Sequence, residues 1–415
     1  MINIVRMLSV PVSLTFFLNL SCIKPLPVPG KVIGKIPENG AVLNTPEITF
    51  VWQAVDDGAR YLLQVATDSK FRSLTLEDTV ADTTVIRFFQ TDGKYFWRVR
   101  VENSKGIWSE WSTTDSFILQ RFLIVNSVKT QGYPHDIAIS GAKAYIADGQ
   151  AGLSVFDISN PETPIFLNSV MDSLNVAWGV AVEDTFAFVA YGYKELLIVN
   201  VARSESLKTV GVLEYPQPGY GYDVAVQDSW AFIAAGAQFI VVNVSDPRYP
   251  NLRFQSYYPR GCRSVVTAGQ YLFVALEQLG IAAWRTDTFP PVQIGTFDTP
   301  GNARGVVFKD GILYIADGRN GIIIVDATNP TYNMVQIGAL DLAGYASSLT
   351  IIDSLLYVVC GSSGVMVVNC SNPSKPYLMA QIKTPYVYAV GLIPDAKYFF
   401  AVDRDLGIIT LKKEF

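Results

Sequence analysis

A unit of about 42 residues recurs seven times between Arg121 and Phe415, and no other feature restricts the fold of this 415-residue chain so far. Each unit opens on a short strand: DIAIS from Asp136, GVAVE from Gly179, DVAVQ from Asp223, SVVTA from Ser264, GVVFK from Gly305, SLTII from Ser348 and VGLIP from Val390. Nine residues after each of these positions stands an aromatic of a second strand: Tyr145, Phe188, Phe232, Phe273, Tyr314, Tyr357 and Phe399. A third strand follows a short turn, as in GLSVFDIS from Gly152, GIIIVDAT from Gly321 and GVMVVNCS from Gly364. Asn160-Pro161, Asp246-Pro247, Asn329-Pro330 and Asn372-Pro373 then break the pattern ahead of a short fourth strand such as PIFLNSV.

Four strands at this period predict the blades of a β-propeller, seven in number, over residues 121–415. The first strand of a blade lines the axis. The second and third are apolar on both faces because blades stack face to face. The last unit ends near Leu411 after three strands, and Arg121–Thr130 (RFLIVNSVKT) has no three strands before it. That segment is expected to pair with the final strand and close the ring, which removes the open sheet edges. The repeat resembles the LVIVD-repeat family of bacterial propellers through FDISNPETP, IVDATNP and VVNCSNP. The unit from Gly261 to Thr299 departs most, with AAWRTDTFPP in place of the Asp-Ser-Asn-Pro turn. The resemblance implies architecture and leaves function open, since propellers host unrelated activities.

Residues 32–119 read as a separate small β-sandwich. ITFVWQAV around Trp52, YLLQVATD from Tyr61 and KYFWRVRVEN after Gly93 are alternating runs separated by turn signals. In the third run Tyr95, Trp97, Val99 and Val101 share one face; Phe96, Arg98 and Arg100 share the other. The segment resembles a fibronectin type III domain. Trp108-Ser109-Glu110-Trp111-Ser112 fits the W-S-x-W-S motif of cytokine-receptor modules, in which tryptophans interleave with arginines of a neighbouring strand. Arg98, Arg100, Trp108 and Trp111 are therefore expected to form a cation–π ladder with a structural role.

The N-terminus reads as an address. Residues 1–22, MINIVRMLSVPVSLTFFLNLSC, carry Arg6, an apolar stretch too short to span a bilayer, and Ser21 before Cys22. This resembles a bacterial lipoprotein signal, with Asn19 where the lipobox usually has Leu. It implies export, lipidation of Cys22, and a place at an outer membrane or cell surface. An ordinary cleaved signal peptide is the other reading. Residues 23–31 hold three prolines and read as an extended tether.

Composition narrows the chemistry. Charged residues make up 17% of the chain and the net charge is −5, which argues against nucleic-acid binding. One histidine, His135, and four cysteines leave little for zinc or for acid–base work near neutral pH. Asp148 and Asp317, in A-D-G turns, lack the acidic density of a calcium loop and read as turn formers. Cys360 and Cys370 fall on neighbouring strands; a turn near Ser362 would pair Cys360 with Val365 and set the two sulfurs too far apart for a disulfide. No cofactor or metal is expected, and no catalytic constellation stands out.

Function is expected where loops between blades converge on one mouth of the channel. The residues just before the first strands are His135, Trp178, Tyr222, Arg263, Arg304, Ser347 and Ala389; Tyr133, Tyr220 and Tyr345 stand shortly upstream, and Tyr386 and Tyr388 precede the last. Aromatics with two arginines suit a protein or glycan ligand with an anionic group. Packing that merely closes the channel is the plainer reading. Three classes of function remain: an exported binding or scaffold protein, a polysaccharide lyase or glycosidase acting at the mouth, and a structural cell-surface component. The only acids at the inner ring, Asp136 and Asp223, begin strands and read as backbone acceptors rather than a hydrolase pair.

Overall fold

The computed structural model describes residues 27–171, 175–192, 195–215, 220–331, 333–392 and 397–414. The signal-like segment 1–22 with Cys22, and residues 23–26 of the tether, lie outside the described residues. Among the described residues strands dominate, two short 3₁₀ segments are the helical turns, and no helix is long and apolar enough to cross a membrane.

The N-terminal part is two sheets facing each other. One holds Gly34–Ile36, Glu47–Trp52 and Thr84–Phe88; the other holds Ala41–Leu43, Asp115–Leu119, Gly93–Asn103, Gly58–Ala66 and Leu74–Val80. The alternation of the long third run sends Tyr95, Trp97, Val99 and Val101 inward, where they meet Phe50, Trp52, Tyr61 and Phe117 in one core. Phe50 and Trp97 meet edge to face, ring centroids 5.5 Å apart.

On the outer face of the same strand the arginines and tryptophans interleave. Arg98 lies 4.2 Å from the Trp111 ring centroid, Arg100 lies 4.5 Å from Trp111 and 4.8 Å from Trp108. Phe71, 4.0 Å from Arg98, and Arg60, 5.8 Å from Trp108, extend the column at its two ends. The serines of the motif explain its spacing. The amides of Val99 and Val101 donate to Ser112 Oγ and Ser109 Oγ, while the Ser112 and Ser109 amides donate back to the Val99 and Val101 carbonyls. The W-S-x-W-S segment thus satisfies the edge of the sheet with side chains and backbone together, and sets a tryptophan beside each arginine.

The rest of the chain is a β-propeller-like ring of antiparallel sheets. The first sheet is ordered Asp136–Ser140, Lys143–Ala147, Leu153–Asp157, Ile165–Val170, and later sheets repeat this order. The innermost strands that follow are Ala177–Glu183, Asp223–Gln227, Ser264–Ala268, Gly305–Lys309, Ser348–Ile352 and Val387–Leu392, each against the next and the last against Asp136–Ser140. In the last sheet, Phe122–Val128 pairs with Gly407–Lys413 as the outermost strand. The two faces of each sheet are both covered. Tyr145, Ala147 and Val155 pack toward the second sheet, whereas Ala144, Ile146 and Phe156 pack toward the last one. Period-2 alternation on strands buried on both sides accounts for apolar runs without a membrane span.

The inner strands approach closely. A Cβ on Gly179 would lie 2.8 Å from the Asp223 Cα, so only glycine fits there. Asp136 and Asp223 tie this ring together. Each accepts the amide of its own next residue and an amide of the following sheet's inner strand, Val180 for Asp136 and Val265 for Asp223, at 2.8–2.9 Å.

Three expectations shift. The second and third strands of the third sheet form one run, Trp230–Asn243, bending at Gly236 (φ +63°) and paired with Asn251–Cys262. In the sixth sheet Val359, not Cys360, pairs with Val365, because the turn takes in Cys360 and closes through Gly364 (φ +84°). Cys360 and Cys370 are free and buried, and burial pushes both thiols up to about 12. Third, Arg121 precedes the closing strand rather than belonging to it.

Arg121 is the hinge pin between the two parts and is 2% exposed. Its Nε meets Asp92 Oδ1 at 2.5 Å, its amide donates to Asp92 Oδ2, and its Nη2 donates to the Gln90 and Met379 carbonyls. The Asp92 amide also donates to Met379 O, and Thr91 Oγ1 to Leu378 O. One buried ion pair therefore gathers the end of the sandwich, the linker and the outer strand of the sixth sheet.

Candidate functional site

Each mouth residue is held by the sheet that carries it. The amides of His135, Tyr222, Arg263, Arg304 and Ser347 donate to the carbonyls of Ala147, Ala234, Ala275, Ala316 and Val359, the last residues or end positions of the adjacent second strands. This shared bond fixes where the side chains start, one per sheet around one end of the ring.

The side chains then link into a nearly closed circuit. His135 lies flat on Trp178, centroids 3.9 Å apart and planes 12° off parallel, and meets Tyr388 edge-on at 4.8 Å. Trp178 Nε1 donates to Tyr220 Oη at 2.8 Å, and Trp178 also sits edge-on to Tyr222. Tyr222 carries the Arg263 guanidinium on its face at 4.0 Å. Arg304 stands over Tyr345 at 5.6 Å. On the other side Tyr388 leads to Tyr386, and Arg404 covers Tyr386 at 4.9 Å. The circuit runs from the seventh sheet through the first five to Tyr345, at the entry to the sixth. Burial holds the His135 imidazole down at about 4, so it is neutral at physiological pH.

Between the two arginines sits a residue that the sequence reading passed over. Glu277 Oε1 accepts from Arg263 Nε at 2.5 Å and from Arg304 Nη1 at 2.6 Å. The seat anticipated for a ligand anion is thus held by the chain's own carboxylate. The signal was a column in the repeat: the A-D-G turns place Gly149 and Gly318 where the fourth unit has Glu277. Arg404, paired with Asp405, was also missed.

Tyr133 is not part of the circuit. It is 57% exposed and lines an adjoining groove of 690 Å³ with Lys129, Gln131, Met171 and the circuit's Arg404, on the border of the last and first sheets. Asp148 and Asp317, as turn residues, reach further than local bonding. Asp148 Oδ2 accepts the Gln131 and Gly132 amides and the Ser154 hydroxyl, anchoring the loop that enters the first sheet. Asp403 does the same for Tyr386 in the last sheet. Asp157 and Asp326 close strand-end turns on Ser159 and Thr328. Among the described residues no group of His, Cys, Asp and Glu is arranged to hold a metal ion.

Comparison with known proteins places the ring in context. Five segments of the chain match the LVIVD repeat: 131–172, 176–207, 218–257, 300–338 and 343–384. No curated protein matched. Among solved structures, a chain of the crystal structure of a mitotic checkpoint complex is 12% identical at a TM-score of 0.56, over 71% of this chain and 91% of that one. RRP9 WD40 repeats are 8% identical at 0.57, over 71% and 97%. The computationally designed Ika8 protein is 9% identical at 0.55, over 70% and 99%. At these identities the likeness is one of fold: an all-β, propeller-like architecture.

Proposed function

We propose that the chain is an exported, non-catalytic binding or scaffold protein that recognises a protein or glycan ligand at one mouth of a seven-bladed β-propeller. In this reading residues 32–119 are a fibronectin type III-like module that spaces or docks the propeller, and a lipid on Cys22 holds the whole at a bacterial outer membrane or cell surface. The observation that carries the reading is the circuit of aromatic and arginine side chains around one end. Large side chains ordered at a loop-bounded mouth lose rotamer freedom, and tyrosine, tryptophan and arginine are the residues that concentrate binding energy at interfaces. A propeller-type repeat fold agrees with a scaffold role. Asp136 and Asp223 are engaged by backbone amides of adjacent inner strands, which favours an architectural role for them over paired hydrolytic carboxylates.

Substituting Trp178→Ala and Arg304→Ala together is expected to abolish retention on an immobilised array of acidic peptides and acidic polysaccharides, with the circular dichroism spectrum unchanged. Retention equal to wild type would place recognition elsewhere. The anchor is tested separately: Cys22→Ser is expected to move the protein to the soluble fraction, and a variant that stays with membranes overturns the lipid assignment.

A further inference from the structure

Glu277 reaches its seat in a conformation that side chains disfavour. Its φ is +50°, in the left-handed region. The equivalent position in the first and fifth sheets is Gly149 (φ +58°) and Gly318 (φ +66°). Equivalence is fixed by a shared backbone bridge: Gly149 to Ala177, Glu277 to Ala303, Gly318 to Ala346. A glutamate therefore stands where the fold's own preference is glycine, and its side chain is the one placed between two cations. Strained backbone retained at a cleft marks a position kept for something other than stability.

The bonding is also incomplete. Oε1 takes both arginines, while Oε2 has no hydrogen-bond partner among the described residues. Arg263 uses only Nε and Arg304 only Nη1, so the remaining N–H groups of both forks have no acceptor among the described residues. The three side chains are 25%, 31% and 22% exposed for Arg263, Arg304 and Glu277. The carboxylate lies against a residue without a side chain, since a Cβ on Gly261 would sit 3.4 Å from Oε2. The two guanidiniums are held in place without Glu277, on the faces of Tyr222 and Tyr345.

We propose that Glu277 is an internal stand-in for an acidic side chain of a bound polypeptide, whose carboxylate takes the place of Oε1 between Arg263 and Arg304 while the partly exposed Glu277 side chain swings toward solvent. The inference rests on the mouth being the recognition surface and names its ligand there. A polypeptide is favoured over a sugar acid for two reasons. The seat is already filled by a glutamate side chain carried on a loop, so its depth and width suit that group. The tyrosine faces on which a sugar ring would stack at this end are covered by guanidinium groups. An incoming carboxylate gains the unused N–H groups as bidentate partners, and its arrival releases one intramolecular competitor.

The test uses the full chain and two probes at fixed salt: an acetylated, amidated hexaglutamate peptide and oligogalacturonate. Glu277→Gly fits the local backbone and removes the competitor; it is expected to bind hexaglutamate roughly tenfold more tightly, within the usual range of intramolecular coupling, without a fall in Tm. Glu277→Gln is expected to tighten binding in the same direction. Arg263→Ala and Arg304→Ala are expected to lose it. If Glu277→Gly weakens the peptide or leaves its affinity unchanged, while the arginine variants still lose it, the stand-in is wrong and the mouth survives. If oligogalacturonate binds through the arginines and hexaglutamate does not, the polypeptide assignment is overturned. If neither probe binds any variant, both the inference and the mouth reading fail.

Discussion

The imidazole of His135 and the indole of Trp178 lie face to face, 3.9 Å between centroids, and join the first sheet of the ring to the second at the mouth. A neutral imidazole stacks there without carrying a charge into a partly desolvated space. Burial is the cause that lowers its pKa from 6.5 to about 4. Because the chain has one histidine, its Cε1 proton gives an unambiguous NMR titration. The midpoint is expected at about 4. Trp178→Ala strips one wall and is expected to raise it toward 6.5. A wild-type midpoint at 6.5 would mean that the stack does not form. The linkage follows from the sign: a histidine depressed on folding contributes stability that is present above 6.5 and lost as pH falls through 4.

Asp136 and Asp223 act with the opposite sign. Burial, then the charge of Asp223, raises the Asp136 carboxyl from 3.8 to about 7, and burial raises Asp223 as well. A carboxyl raised on folding contributes stability that is fully present below 3.8 and lost as pH climbs through its folded value. Removing one carboxylate removes the like charge that the other feels. Asp223→Asn is therefore expected to pull the upper end of the Asp136 transition to lower pH, read as Tm against pH from 4 to 8 relative to wild type. The histidine contribution is common to both proteins and cancels in the difference. A pH-independent offset between the two curves would count against coupling of the pair.

The strand order of the ring is legible because its period is rigid. A first strand whose third residue faces an aromatic (Ala138 opposite Tyr145, Ala181 opposite Phe188, Ala225 opposite Phe232) repeats with a constant step, and both faces of each sheet need apolar residues. Turns are less legible, since a hairpin register depends on backbone angles. Gly364 closes the sixth-sheet turn one residue beyond the pattern and leaves Cys360 outside the strand. The mouth residues could be placed by counting, but their bonding could not. Glu277 meets Arg263 and Arg304, 14 and 27 residues away, only because a left-handed turn aims it at both. Arg121 is invisible for a similar reason: its partners come from two domains.

That junction supports the last prediction. Arg121 is buried with its guanidinium bonded to Asp92, Gln90 O and Met379 O, so the sandwich and the ring share a desolvated ion pair. Truncating one member of such a pair strands the other charge, at a cost of about 3–5 kcal/mol. Arg121→Ala leaves the Asp92 carboxylate accepting only the amide of residue 121, and removes the guanidinium bond to Met379 O on the sixth sheet. Replacing both members, as Arg121→Met with Asp92→Asn, is expected to recover part of the loss, since no buried charge is then left without its partner. The calorimetric trace distinguishes a structural pin from a passive contact. With the pin intact the two parts are expected to unfold in one transition; in Arg121→Ala the transition is expected to split, the sandwich melting apart from the ring. A single transition at unchanged Tm in Arg121→Ala would show that the two parts are held together by other contacts, such as Thr91 Oγ1 on Leu378 O and Asn44 Nδ2 on Glu414 O.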